Sequence, residues 1–402
     1  TGIRISTLMS LAALDALALL SLGGCAQAQR EAFTAEIIDK ASVPDLGPVR
    51  YWGDKAPPNI DALAKEKLDQ TRAARPEMLK RGGRPELSFL AISGGGADGA
   101  FASGVLVGWS ASGKRPEFDI VTGISTGALA APFAFLGPRY DTALKEVYTR
   151  YSTQDLVRKH AVRGLLGGES LASNAPLASV IAKYVDRDFI DEVAREHSRG
   201  RRLLIGTTSL DAQRPVIWDM GKIAWGRDER ALSLFRNVLL ASAAIPGLFP
   251  PVFIETEADG KFIKEMHVDG GTTNEVFLLP SQINSTALDA RLGVRPVRRA
   301  YIIRNGRVDP EFKVVQASTM AIAGRSISTL IKAQGIGDLY QLYDFCRRNK
   351  IDYNLAYIPG NFPDTSTEPF DRKYMNSLFD LGYKLGSAGT PWKKTPPRHG
   401  AH

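Results

Sequence analysis

A serine set between two glycines is the first residue in the sequence whose type and spacing could do chemistry. The segment is Gly123-Ile124-Ser125-Thr126-Gly127. Between a strand and a helix, a Gly-x-Ser-x-Gly pentapeptide forms a tight, strained turn that presents the serine hydroxyl as a nucleophile. The alternative is an ordinary helix N-cap serine with glycines that serve packing. The segment follows an apolar stretch and precedes an alanine-rich one, so we predict that Ser125 is a nucleophile.

A glycine-rich loop precedes this turn in the chain. Residues 93–99 read SGGGADG and follow another apolar stretch. Consecutive glycines let backbone N–H groups point into one concavity at a helix N-terminus, where negative charge is favoured. We therefore predict an oxyanion hole at Gly94, Gly95 and Gly96, in which the amides of Gly95 and Gly96 bind the oxyanion and Gly94 shapes the loop. Gly99 is a further glycine of this motif.

The same loop also satisfies the Gly-x-Gly-x-x-Gly pattern of dinucleotide-binding folds. That pattern expects an acidic residue about 20 positions further on, at the end of the second strand. Asp119 has nearly this spacing, but it opens the second predicted strand, and the end of that strand carries Ser125. Dinucleotide binding is therefore the weaker interpretation.

An aspartate could serve as the base that Ser125 requires. In the segment Met266-His267-Val268-Asp269-Gly270-Gly271, an apolar-flanked strand leads into a Gly-Gly turn. An Asp at hydrogen-bond distance can orient and deprotonate a serine hydroxyl in a dry site. An isolated Asp-Gly-Gly would be ordinary turn chemistry. In combination with the other two motifs, we predict that Asp269 is the partner of Ser125.

The alternative base is one of five histidines, which are His160, His197, His267, His399 and His402. His267 would share a strand face with Asp269, because residues two apart on a strand point to the same side. It would, however, lie about 6 to 7 Å further back along that strand. We therefore expect His267 to be a packed or hydrogen-bonded neighbour and not a proton carrier.

In this order and spacing, the three motifs resemble the patatin-like phospholipase family. The segments at 206–211 and 241–252 resemble the family's middle strand and its small-residue helix end before a Pro-rich turn, so the resemblance covers about 86–275. It implies a three-layer α/β/α fold with a mainly parallel sheet, a Ser-Asp dyad without a catalytic histidine, and no metal or organic cofactor. Many members carry Arg where this chain has Asp98, a difference that disfavours binding of a phosphate at the loop.

The elements around the motifs follow the pattern expected of such a fold. From residue 86, short apolar strands alternate with helices, which indicates a parallel sheet covered on both faces. We predict strands at 87–92, 118–122, 202–207, 216–218, 264–268, 300–303 and 353–357, and helices at 100–109, 126–136, 141–151, 228–242 and 314–348. The catalytic domain is expected over 86–360, a C-terminal extension and tail over 361–402, and a tether with an N-terminal decoration, including a helix at 60–72, over 25–85.

The N-terminal segment resembles an export signal. An apolar stretch from Leu8 to Leu20 follows Arg4 and leads to Leu22-Gly23-Gly24-Cys25. This layout is typical of a secretory signal peptide, here 1–24, and the small residues before Cys25 resemble a bacterial lipobox. The resemblance implies export and a lipid anchor on Cys25, facing the periplasm or the cell surface. A plain cleaved signal peptide or a buried helix are the alternatives.

Composition restricts the partners. The formal net charge is +8, which suits an anionic partner such as a phospholipid surface. Basic residues interleaved with aromatic residues are missing, so we predict no nucleic-acid binding. Two cysteines, Cys25 and Cys346, exclude a disulfide framework.

We therefore predict a serine-dependent lipid acyl hydrolase that acts at a membrane surface. The alternatives are an acyltransferase or thioesterase with the same acyl-enzyme, and a lipid-binding lipoprotein with an inactive fold. The sequence leaves the acyl chain, the head group and the oligomeric state open.

Overall fold

The structure, a computed structural model, describes the greater part of the chain. The described residues are 32–79, 84–159, 170, 172–389 and 392–397. The predicted signal peptide at 1–24 and the predicted anchor Cys25 lie outside them. So do His160, His399 and His402.

A mixed sheet forms the centre of the described chain. The strands are β1 (Arg50–Trp52), β2 (Glu86–Ile92), β3 (Ile120–Ile124), β4 (Arg158–Lys159), β5 (Ala172–Ser173), β6 (Arg202–Ser209), β7 (Arg214–Asp219), β8 (Val252–Ala258), β9 (Lys261–Asp269), β10 (Val297–Arg304) and β11 (Ile351–Tyr357). Over the described residues, β4 and β5 pair separately and the other nine strands form one sheet in the order β1-β7-β6-β3-β2-β10-β11, with β9 paired to β6 and β8. The five strands from β6 to β11 in this order run parallel, as predicted, whereas β1, β7, β8 and β9 pair antiparallel.

Helices connect the strands and cover both faces of the sheet. They are α1 (Ala35–Lys40), α2 (Ile60–Ala74), α3 (Gly99–Ala111), α4 (Thr126–Leu136), α5 (Asp141–Thr149), α6 (Thr153–Leu156), α7 (Ala175–Tyr184), α8 (Arg187–Ser198), α9 (Met220–Trp225), α10 (Glu229–Ser242), α11 (Ser285–Leu292), α12 (Thr319–Arg348) and α13 (Arg372–Ser387). In the part of the chain described here, none of them is long and apolar enough to cross a bilayer.

Two apolar layers hold the helices to the sheet. On one face, side chains of α3, α4, α10 and α13 share a buried cluster with β2, β3 and β6. On the other face, Leu339, Leu342 and Phe345 of α12 pack against β2, β10 and β11. This arrangement confirms the predicted three-layer α/β/α architecture.

The C-terminal helix α13 belongs to the first of these layers, although the sequence predicted only an extension and tail there. It crosses α3 at very short distance, because small residues on both helices let the backbones meet. A Cβ atom at Gly104 or Gly108 would overlap backbone carbonyls of α13, and one at Gly382 or Gly386 would overlap carbonyls of α3. Without a glycine at these positions the two helices could not pack this closely.

Several element boundaries differ from the predictions. The second strand, predicted at 118–122, runs Ile120–Ile124, because its ladder with β6 continues to the pair Ile124 and Gly206. The helix predicted at 314–348 begins at Thr319, where Ser318 caps it. Strand β8 was not predicted, because its buried residues alternate with less buried ones and form no continuous apolar run.

Candidate active site

The three predicted motifs meet at the carboxyl edge of the parallel strands. The glycine loop follows β2, the serine turn follows β3, and Asp269 ends β9, where it pairs with Thr207 of β6. β2 and β3 are direct neighbours, and β3 neighbours β6. In open α/β sheets, ligands bind in the crevice outside this edge.

Ser125 occupies a strained turn between β3 and α4. Its backbone has φ 55° and ψ −126°, a region that costs energy for a residue with a Cβ atom. The flanking glycines allow close backbone approach: a Cβ atom at Gly123 would overlap the carbonyl of Gly127, and one at Gly127 would overlap the carbonyl of Ile92. The structure therefore shows the predicted elbow rather than a helix N-cap, since the Ser125 side chain caps no helix N–H.

A second serine stabilises this turn. The N–H of Ser125 donates to Ser242 Oγ at 3.0 Å, and Ser242 Oγ donates to the carbonyl of Gly206 at 2.6 Å. Ser242 ends α10 and is fully buried. The strained backbone of Ser125 is thus tied to both a helix end and the neighbouring strand.

Ser125 and Asp269 are in direct contact. Ser125 Oγ donates to Asp269 Oδ2 at 2.5 Å, and the N–H of Gly271 donates to Asp269 Oδ1 at 2.7 Å. Both side chains are buried, with 6% and 5% of their surface exposed. Burial raises the pKa of Asp269 to about 7, and the hydrogen bonds from Ser125 and Gly271 oppose this rise. A base with a pKa near neutrality suits proton abstraction from a hydroxyl at physiological pH.

The glycine loop offers two backbone donors beside Ser125. Gly95 has φ 140° and Gly96 has φ 56°, conformations that glycine adopts without strain. Their N–H groups donate to no acceptor among the described residues. They are therefore available to bind an oxyanion.

Gly94 differs from its two neighbours, because its backbone N–H is not free. Its N–H is already used, because it donates to the carbonyl of Glu275 at 3.0 Å. A Cβ atom on Gly94 would lie 3.1 Å from Ser125 Cβ and 2.9 Å from Glu275 Oε1. Gly94 therefore shapes the loop by allowing this close approach.

Two residues that the sequence did not indicate support the loop. The Asn305 side chain accepts the N–H of Ala102 and donates to the carbonyl of Ser93. The carboxyl group of Glu275 lies between Gly94 and Gly271, next to the dyad, and burial raises its pKa to about 8. The only sequence signal for Asn305 is its position directly after the strand predicted at 300–303, and no comparable signal indicates Glu275.

The two described histidines lie away from the reacting groups. His267 is fully buried, hydrogen-bonds with Thr207 Oγ1 at 3.0 Å, and has its Nε2 at 3.5 Å from Glu265. Burial lowers its pKa, which favours the neutral ring. His197 lies 3.5 Å from Asp219, which ends β7 at the opposite edge of the sheet. Neither intervenes between Ser125 and Asp269.

Asp98 also points away from the serine. Its Oδ1 accepts a hydrogen bond from the Tyr374 hydroxyl of α13 at 2.7 Å. Burial raises the pKa of Asp98 to about 6, while the Tyr374 bond and the charge of Arg307 lower it. The carboxylate of Asp98 therefore links the glycine loop to α13 through this hydrogen bond.

An apolar pocket opens at Ser125. Its volume is about 70 Å³, and Gly96, Ser125 and Thr126 form its polar end. The remainder is contributed by α4, α7, α10 and neighbouring segments, with Leu129, Phe133, Leu177, Ile181, Leu239 and Phe249 among the lining side chains. A pocket of this kind accepts a hydrocarbon chain whose carbonyl end reaches the serine.

The chain was compared with solved structures, with curated protein sequences and with sequence models of protein families. Among solved structures, the chain is similar to VipD from Legionella pneumophila at 12% identity and a TM-score of 0.35, over 75% of this chain and 67% of that one. It is similar to human GIVD cytosolic phospholipase A2 at 11% identity and a TM-score of 0.35, over 81% of this chain and 53% of that one. The chain thus spans about two thirds of the first structure and about half of the second. No curated protein sequence matches it.

The family assignment comes from the sequence itself. The sequence model of the family described as Patatin-like phospholipase matches residues 90–280. This range contains the glycine loop, Ser125 and Asp269. Over this range, which is just under half of the chain, the sequence matches a patatin-like phospholipase domain.

Proposed function

We propose that this protein is a serine-dependent lipid acyl hydrolase with Ser125 as nucleophile and Asp269 as base. The observation that carries the proposal is the direct hydrogen bond between Ser125 Oγ and Asp269 Oδ2, at the polar end of an apolar pocket. A serine that contacts a raised-pKa carboxylate needs no third group to lose its proton. The match of residues 90–280 to the patatin-like phospholipase model supports a lipid ester as substrate.

The reaction begins with the acyl chain in the pocket and its carbonyl carbon at Ser125. Oγ forms a bond to this carbon while Asp269 takes the hydroxyl proton. The N–H groups of Gly95 and Gly96 bind the developing oxyanion, and such donors each contribute roughly 10²-fold or more to turnover. As the tetrahedral intermediate collapses, the ester oxygen leaves with the proton from Asp269.

The acyl-enzyme is then hydrolysed by the same groups. Asp269 accepts a proton from water, whose oxygen attacks the acyl carbon, and the bond to Ser125 Oγ breaks as the serine regains the proton. A fatty acid is released. If an alcohol replaced water at this step, the same site would act as an acyltransferase. If the leaving group were a thiol, the same site would act as a thioesterase.

Labelling and product analysis test the proposal. Wild type is expected to react with a fluorophosphonate probe and to release free fatty acid from a lysophospholipid and from a p-nitrophenyl ester, whereas Ser125→Ala does neither. Transfer of the acyl group to added glycerol or lysolipid, at the expense of free fatty acid, would identify a transferase. A wild-type protein that binds lipid but does not react with the probe would be a lipid-binding protein with an inactive site.

We also propose that the protein is exported and held at a membrane by a lipid on Cys25. The support is the sequence at 1–25 alone. Each buried CH₂ group of such an anchor adds about 0.8 kcal/mol of membrane affinity. The mature chain is then expected to begin at Cys25 and to partition into detergent, whereas Cys25→Ser is expected to be soluble or uncleaved. Mass spectrometry that finds an unmodified Cys25 would contradict the anchor.

A further inference from the structure

The loop after β10 and the first half of α12 expose large apolar side chains that contact little of the protein. Phe312 is 95% exposed, Leu330 68% and Ile322 52%. Val314 and Ile327 are exposed as well. Exposed apolar patches of this kind mark sites of contact with a partner or a membrane.

The charge of the same stretch is unusual. From residue 312 to residue 337 the sequence has no Asp or Glu, and its charged residues are Lys313, Arg325 and Lys332. Lys332 pairs with Glu311 at 2.7 Å, while Lys313 and Arg325 form no ion pair among the described residues. We call residues 312–337 the acid-free segment. Apolar side chains interspersed with cations, without acids, suit an anionic lipid surface.

The acid-free segment lies on the same side of the molecule as the active site. The second half of α12 packs along the sheet, and α12 ends at Arg348, just before β11 begins at the amino edge. The helix therefore enters from the carboxyl edge, where Ser125 lies. A Cβ atom at Gly335 would contact the side chain of Glu275, which neighbours the dyad. The part of α12 before Gly335 thus continues beyond this edge by about 24 Å, at 1.5 Å per residue.

We propose that the acid-free segment docks the protein onto the surface of an anionic phospholipid bilayer. The position and the charge of the segment indicate that its partner is an anionic lipid surface. An apolar segment that contains no acidic residue, at the edge where the acyl pocket opens, brings that pocket to the lipid from which its substrate must come. The role of docking in substrate supply rests on the proposed function, but docking itself requires no catalysis.

Docking is measured with the full chain and defined vesicles. All variants carry Cys25→Ser so that an attached lipid does not dominate binding, and Ser125→Ala so that vesicles stay intact. The probe is a vesicle of phosphatidylcholine with phosphatidylglycerol, compared with phosphatidylcholine alone at low and high salt. The test variant is Phe312→Ser with Leu330→Gln. The matched control is Trp225→Ser, because Trp225 is 52% exposed and ends α9, which follows β7 at the opposite edge.

The double variant is expected to bind anionic vesicles at least ~10-fold more weakly, because two large side chains no longer enter the bilayer. The vesicle affinity of the control is expected to stay within about 2-fold of the parent. At high salt, anionic vesicles should no longer bind more tightly than phosphatidylcholine vesicles. Equal binding by the double variant and the control would overturn the proposal. So would a dimer that the double variant dissociates without losing vesicle affinity, because the segment would then bind a second copy of the chain.

A separate measurement keeps the two proposals distinguishable. With Ser125 restored, the double variant is expected to hydrolyse a short soluble ester within about 2-fold of the parent rate, because neither substituted side chain lines the pocket. Loss of docking with intact soluble-ester turnover supports the docking surface. If the parent itself has no ester activity, the proposed function fails, while the vesicle result from the Ser125→Ala proteins still decides docking.

Discussion

The dyad and the acid-free segment lie at the same edge of the sheet but are built in opposite ways. Around Ser125 and Asp269, polar atoms are buried and hydrogen-bonded within the protein. In the acid-free segment, large apolar side chains are exposed, and most of the described residues in the first half of α12 lie open to solvent. Burial raises the pKa of Asp269 to about 7, as the proposed reaction requires, whereas exposure leaves the segment able to contact lipid, as the proposed docking requires.

Under the two proposals, turnover of an ester and access to lipid depend on different residues. Changes at the dyad should alter the rate on every ester and leave vesicle binding unchanged. Changes in the acid-free segment should alter only reactions at an interface. Substitutions between these two regions then show whether a residue affects turnover, vesicle binding or both.

The largest effect is expected for Asp269→Asn. The amide can accept the hydrogen bond from Ser125 but cannot take its proton, so kcat on a soluble ester should fall by at least ~10³. Vesicle binding should not change, since Asp269 is buried behind the serine. Circular dichroism and vesicle sedimentation serve as controls. Turnover near the wild-type value would show that another base serves Ser125 and would refute the dyad.

The next largest effect is that of pH. Because burial raises the pKa of Asp269 to about 7, the active carboxylate form is lost as the pH falls below that value. The rate on a soluble ester should drop about tenfold per unit on the acidic side and level off above pH 7. A flat profile between pH 5 and 7 would contradict a base buried in this way.

The raised pKa of Asp269 favours turnover at high pH but stabilises the folded state at low pH. The folded state holds the proton of Asp269 more tightly than the unfolded chain does, so this group stabilises the fold at low pH. That contribution is lost as the pH rises from about 4 to about 7. Asp269→Asn should therefore melt at a higher temperature than wild type at pH 8, and its advantage should shrink towards pH 4. If the difference in melting temperature between the two proteins stayed constant from pH 4 to pH 8, titration of Asp269 could not be its cause.

An intermediate effect is expected from narrowing the acyl pocket. Ile181 lines the pocket on α7, and Ile181→Trp adds bulk where the hydrocarbon chain would lie. Hydrolysis of long-chain p-nitrophenyl esters should fall about tenfold relative to the acetate ester, whose chain ends before it reaches this position. Ile181→Leu, of equal volume, is the matched control. Equal losses on short and long chains would indicate damage to the dyad instead.

A smaller effect on turnover is expected for His267→Ala. The ring touches Thr207 and Glu265 and not the dyad, so kcat should change less than ~10-fold. The free energy of unfolding should fall by about 1 to 3 kcal/mol, because buried polar partners lose their hydrogen bond. Denaturant titration measures this cost. A loss of turnover equal to that of Ser125→Ala would make the site a triad.

The contact between Ser125 and Asp269 could be predicted from the sequence, because both motifs need glycines for their backbone conformation. The turn at Ser125 needs Gly123 and Gly127, and Asp269 precedes two more. The five parallel strands were predictable for a related reason, since burial on both faces produces continuous apolar runs.

The supporting residues could not be predicted, because their roles depend on contacts between distant parts of the chain. Ser242 lies 117 positions after the serine that it holds. Nothing near Glu275 in the sequence indicates that its carboxyl group reaches Gly94. The contribution of α13 was missed for the same reason, because its glycines have meaning only against those of α3.

The smallest effect is expected at Asp98, where the family resemblance and the geometry disagree. The sequence suggested that a carboxylate here would oppose a phosphate near the oxyanion hole. In the structure, that carboxylate accepts a hydrogen bond from Tyr374 and lies in the field of Arg307, and it does not line the acyl pocket. Asp98→Asn keeps an oxygen for the Tyr374 hydroxyl and removes only the charge. Turnover of a soluble ester should therefore change less than ~3-fold, and so should the ratio of phospholipid to simple-ester hydrolysis. Tyr374→Phe, which removes the hydrogen bond but keeps the charge of Asp98, is the complementary control for stability. A large gain on phospholipid in Asp98→Asn alone would show that the head group passes close to this carboxylate, and substrate selection would then begin at the glycine loop rather than at the lipid surface.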